Sequence, residues 1–99
     1  MTRRQVRFSG QFFDRLDELL PPERPGDGGP SASDFLLHDL PNVIDALAES
    51  YEGVTIPSGY DESTRVLVAP GLLARTLVVY TTLIADDVVE AFYIDLELD

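Results

Sequence analysis

His38, Arg65, Arg75, Tyr80 and the acids Asp86, Asp87 and Glu90 are the side chains of this 99-residue sequence whose types could carry chemistry. An arginine on a sheet face holds a phosphate or a carboxylate with a planar fork of donors, and Arg65 and Arg75 are the only cations after residue 30. The competing reading pairs each of them with one of the many nearby acids in an ordinary salt bridge. Tyr80 lies five residues beyond Arg75, on the opposite face of an ideal strand, so the two converge only through a bulge. His38 is the sole histidine, with no paired carboxylate or nucleophile motif, which favours a surface or partly buried position over acid-base work. Asp86, Asp87 and Glu90 suggest a cation site, yet Asp-Asp between two apolar runs is turn chemistry and lacks metal-ligand spacing. No phosphate-binding loop, dinucleotide fingerprint or Gly-x-Ser-x-Gly elbow is present, and no cofactor is expected.

These residues sit mostly in the stretch from Thr64 to Leu98, which is rich in β-branched and aromatic residues and broken only at Pro70-Gly71 and Asp86-Asp87. It predicts three consecutive antiparallel strands. In the last, Phe92, Ile94, Leu96 and Leu98 share one face, and Ala91, Tyr93, Asp95 and Glu97 the other. In the middle one, Leu77, Val78, Val79, Leu83 and Ile84 occupy both parities, as in a strand covered on both sides or shielded by a partner.

Upstream, Gln5 to Phe8 alternates as a short first strand with Val6 and Phe8 toward the core. Ser9 caps a helix carrying Phe12, Phe13, Leu16, Leu19 and Leu20, which Pro21-Pro22 stops. Residues 21–31 read as a mobile loop of proline and glycine. Ser31 to Asp34 has capping-box spacing and precedes a second apolar stripe from Phe35 to Tyr51. Pro41 falls inside that stripe, predicting a kink or a new helix with Pro41 at its first position. Residues 52–63 read as an exposed connection with a short extended piece from Val54 to Ile56. The expected fold is one domain over residues 1–99: α+β, a small antiparallel sheet in the order β-α-α-β-β-β, with the helices on one face and the first strand at the edge of the meander.

Charge is the sharpest compositional fact, with 18 acids against 7 basic residues, a net charge of -11. Five arginines and five acids precede residue 31, whereas two arginines and thirteen acids follow it. That distribution disfavours nucleic acid binding and suits solubility, mimicry of a nucleic acid, or docking to a basic partner. Arg3, Arg4 and Arg7 read as a small basic, solvated end. The absence of cysteine excludes disulfides and thiolate metal sites. With no run of signal-peptide or membrane-span length, a cytoplasmic protein without membrane contact is expected.

The order of elements, together with Val6-Arg7-Phe8-Ser9 before Phe12-Phe13-x-x-Leu16, Thr64-Arg65-Val66-Leu67-Val68, Ala74-Arg75-Thr76-Leu77-Val78-Val79-Tyr80 and Val88-Val89-Glu90-Ala91-Phe92-Tyr93-Ile94, resembles the RelE/ParE toxin superfamily. The resemblance implies a toxin-type protein of a toxin-antitoxin pair, with an antitoxin-like protein as partner and another protein as a possible target. Members that cleave messenger RNA imply catalytic roles for Arg65, Arg75 and Tyr80. The acidic end Asp95-Leu96-Glu97-Leu98-Asp99 stands where such members are basic. Members that act by binding protein need no such constellation, and an adaptor that kept the fold without toxicity is the further alternative.

Overall fold

The computed structural model describes residues 3–21, 26, 31–59, 61–72 and 75–97. Eight elements follow in the order β1 (Gln5–Phe8), α1 (Gly10–Leu19), α2 (Ala32–His38), α3 (Leu40–Val54), β2 (Thr55–Pro57), β3 (Thr64–Ala69), β4 (Thr76–Ala85) and β5 (Val88–Glu97). The loop expected over residues 21–31 lies outside the described residues apart from Pro21, Gly26 and Ser31.

Local chemistry sets the helix ends. Ser9 caps α1 by accepting from Phe12 N at 3.2 Å, and the Leu20 amide closes the other end on Leu16 O at 2.9 Å before Pro21. At α2 the capping box forms with Asp in place of the usual Glu: Asp34 N donates to Ser31 Oγ at 3.1 Å and Ser31 N donates to Asp34 Oδ2 at 3.2 Å. Pro41 lies in the first turn of α3, where its missing N–H costs no helical bond, so the stripe is two helices meeting at Asp39. A second break falls at Ser50, whose φ of -143° and ψ of 45° are non-helical.

The five strands form one sheet in the order β1-β5-β4-β3-β2. Two features correct the expected antiparallel sheet. The short extended piece expected at Val54 to Ile56 is present one residue further on, as Thr55–Pro57, and it pairs with β3 as an additional edge strand. β1 does join the edge of the meander, but it runs parallel to β5, with Gln5 opposite Val88 and Phe8 opposite Ala91. Parallel pairing follows from the route of the chain, which leaves β1 through the helices and returns along β5 in the same direction.

The helices pack on one face of the sheet. Phe12, Leu16 and Leu20 from α1, Phe35 from α2, and Val43, Leu47 and Tyr51 from α3 meet Leu67, Leu77, Val79, Val89, Ala91 and Ile94 in one buried cluster. The expected facing of β5 is corrected here. Tyr80 pairs with Tyr93 and Thr81 with Ala91, so Phe92 is an extra residue, a bulge. Val89 and Ala91 therefore share the core face with Ile94 and Leu96, and the alternation changes phase at Phe92. Leu98 lies outside the described residues.

The basic amino-terminal end is likewise more than solvated. Arg3 pairs with Asp45 and Glu49, both at 2.7 Å, and Arg4 pairs with Glu52 at 2.6 Å while lying 5.6 Å from the centroid of the Tyr51 ring. These pairs fasten the entry of β1 to α3, at the modest energies of exposed ion pairs. No helix among the described residues is long and apolar enough to cross a membrane.

Candidate functional site

Arg65, Arg75 and Tyr80 do not converge. In the pairing of β3 with β4, Arg65 stands opposite Thr81 on the helix-covered side, while Tyr80 stands opposite Val66 on the other. The Arg65 guanidinium is spent on the protein itself: Nε donates to Thr55 Oγ1 and Nη2 to Thr55 O, both at 2.7 Å. Thr55 Oγ1 in turn donates to Tyr51 O at 2.6 Å, and Thr81 Oγ1 donates to Arg65 O at 2.9 Å. With the Thr81 proton so committed, Tyr51 Oη is the donor in its 3.0 Å bond to Thr81 Oγ1. This buried polar chain ties the end of α3 to β2, β3 and β4. Arg75 precedes β4 at the opposite end of the strand, 70% exposed, with Nε 3.5 Å from Glu97 Oε1.

The other candidate groups are dispersed. His38 ends α2 and is exposed. Asp86 and Asp87 form the exposed two-residue turn between β4 and β5, whose carbonyls accept from Arg4 Nε at 3.3 Å and from Gln5 N at 2.7 Å. Among the described residues no group of three His, Asp or Glu side chains is arranged to hold a metal ion.

A site does form on the sheet face away from the helices. Asp61, Thr64, Tyr80, Phe92, Tyr93 and Asp95 line a depression of about 520 Å³. The bulge builds it: with one extra residue in β5, the consecutive aromatics Phe92 and Tyr93 both reach the same hollow. The Tyr80 and Tyr93 rings meet edge to face, centroids 5.6 Å apart at 75°. On one rim, Asp61 accepts from Ser63 N and Ser63 Oγ at 2.9 Å, Thr64 N at 2.7 Å and Thr64 Oγ1 at 3.1 Å. These bonds, led by that from the Ser63 hydroxyl, hold the Asp61 carboxyl below its ordinary pKa, so it stays ionised. On the other rim Asp95 takes a hydrogen bond from the Arg15 guanidinium.

Comparisons of the chain with known protein families, with characterised proteins and with solved structures find no match. The geometry of the depression is thus the main guide to chemistry. Arg15 explains how the rim is fixed. Among the described residues β1 pairs with Val88 to Ala91, and the rest of β5 has no strand on that side. Arg15, from α1, crosses this edge: Nε donates to Ile94 O at 3.3 Å, and the guanidinium carbon lies 5.1 Å from the centroid of the Tyr93 ring. The hollow therefore combines aromatic walls with two carboxylates, Asp95 paired to Arg15 and Asp61 without a cation partner among the described residues, so its Asp61 side attracts cations and repels phosphate.

Of these six lining residues, sequence reasoning singled out Tyr80 alone. Asp61-x-Ser63-Thr64 carries the signature of a side chain folding back on its own turn. The adjacent pair Phe92-Tyr93, which leaves no residue to alternate with, is the trace of the bulge.

A second cleft of about 330 Å³ lies between α3 and the end of the β3-β4 pair, lined by Val43, Ala46, Leu67, Leu72 and Leu77 among others. Buried Asp39 braces it by accepting from Leu72 N at 2.6 Å.

Proposed function

We propose that the chain is a RelE/ParE-like, toxin-type protein of a toxin-antitoxin pair that acts in the cytoplasm through protein-protein interaction. In its resting state an antitoxin-like segment lies on it. The observation that carries this reading is the sheet face opposite the helices, where aromatic residues, acids and exposed Val68 and Ile56 are left without a covering element among the described residues. A surface of that kind suits an added peptide segment. The separation of Arg65 and Tyr80 onto opposite faces speaks for binding over messenger RNA cleavage, as does the net charge of -11. The succession of a strand, helices and a three-strand meander supports the family likeness.

Induced expression of the free protein in its native host or a close relative is expected to arrest growth, with rescue by the adjacent antitoxin-like protein. Unimpaired growth would sink the toxin role. If the protein then co-purified stably with a partner of another kind, an adaptor that kept the fold would take its place.

A further inference from the structure

We infer that the aromatic-acidic depression on the open sheet face is a receptor for the guanidinium of a partner protein's arginine side chain. The inference deepens the protein-binding reading and rests on it for the physiological occupant, but the site itself is argued from its own chemistry. Three observations combine. First, the hollow is lined by the aromatic residues Tyr80, Phe92 and Tyr93 and has no lysine or arginine among its described lining residues. Second, carboxylates stand on its two rims: Asp95 is met by Arg15, whereas Asp61 has no cation within ion-pair distance among the described residues and is held ionised by Ser63 and Thr64. Third, the molecule displays the binding mode once already. Arg15 lies 5.1 Å from the Tyr93 ring centroid while its guanidinium bonds to Asp95.

A second guanidinium entering from solvent would meet features of the same kind, a ring and a carboxylate, in Tyr80 and Asp61, which line the same hollow. A planar, weakly hydrated guanidinium suits stacking on a ring with simultaneous pairing to a carboxylate, more than the compact ammonium of lysine does. An acidic or phosphate-bearing ligand would face the like charge of Asp61, which no cation offsets among the described residues, and a purely apolar one would leave the ionised Asp61 beside it without compensation. The occupant that matches the charge is thus a basic segment presenting arginine, as the net charge of -11 on this chain also favours.

The test is an amide-resolved NMR titration of the full chain with the peptide acetyl-Gly-Arg-Gly-amide, set against the same peptide carrying citrulline, the neutral isostere of arginine. Saturable shifts are expected at Asp61 to Thr64, Tyr80 and Phe92 to Asp95, with the citrulline peptide at least about threefold weaker, the loss of one cation–π contact. Tyr80→Leu and Asp61→Asn should each weaken binding by a similar factor, and Asp17→Asn, the same charge change at an exposed position of α1, should not. Asparagine keeps an oxygen that can accept from Ser63 N, Ser63 Oγ and Thr64 N, so Asp61→Asn decides the matter even if Tyr80→Leu fails to fold. Non-saturable shifts spread over the acidic surface, equal binding of the citrulline peptide, or equal losses in Asp61→Asn and Asp17→Asn would overturn the inference. A growth assay reads the toxin role separately, so either idea can fall without the other.

Discussion

The two faces of the sheet are made from nearly the same residue types and have opposite uses. Strand β4 contributes Leu77 and Val79 to the covered face and Val78 and Tyr80 to the open one. On the covered side, Val79, Val89, Ala91 and Ile94 are wholly buried under α1, α2 and α3. On the open side Val68 remains 52% exposed, and the Tyr80 and Tyr93 rings meet each other edge to face, with Arg15 over Tyr93. Hydrophobic residue type alone therefore does not separate core from binding surface in a small sheet. What separates them is whether the chain supplies a second layer.

The comparison breaks most easily through truncation. Ile94→Ala on the covered face should cost about 2–5 kcal/mol in urea unfolding, whereas Val68→Ala on the open face should stay within about 0.5 kcal/mol. Equal losses would mean that the open face is also stability-bearing. Next in size, Arg65→Ala should destabilise by about 1–2 kcal/mol, because Thr55 loses two hydrogen bonds from a charged donor. Arg75→Ala, at its exposed pair with Glu97, should leave the thermal midpoint nearly unchanged, within the roughly 0–1 kcal/mol of a surface ion pair. Near-equal effects of the two arginine variants would remove the structural role assigned to Arg65. Tyr51→Phe should then cost about 1 kcal/mol through the lost bond to Thr81, read from the same urea curves.

The smallest effect is electrostatic and belongs to the open face. The Asp61 carboxyl has a lowered pKa in the folded chain, so the unfolded chain binds its proton more tightly and ionised Asp61 favours folding. That contribution is complete above the ordinary aspartate pKa of about 3.9 and is lost as pH falls through the lowered folded value. The stability gap between the parent chain and Asp61→Asn should thus be constant from neutral pH down to about 5 and shrink at lower pH. A gap that widens on acidification would show that the Ser63 and Thr64 bonds do not favour the ionised form.

Local features of the fold were legible in the residues. Ser9 and Ser31 cap the helices they precede, Asp34 completes the box, and the three strands after Thr64 fall between the turn residues that bound them. All of these depend on contacts within a few positions along the chain. The candidate site was less legible. Arg15 and Asp95 are 80 positions apart, and Asp61 meets Phe92 and Tyr93 only through the sheet. The pairing of Arg3 and Arg4 with α3 was hidden for the same reason, since exposed charge carries no periodicity to mark its partner.

The sequence by itself determined which segments are helix and which are strand, because caps, prolines, turn residues and apolar period act at short range. It also determined the acidic excess that shapes any partner. Tertiary structure decided the direction of β1 and the addition of Thr55–Pro57 as an edge strand. It decided as well which face of the meander is buried. A single extra residue at Phe92 inverts the alternation of β5, and the cost of that bulge can be weighed only when β4 and the helices are in place.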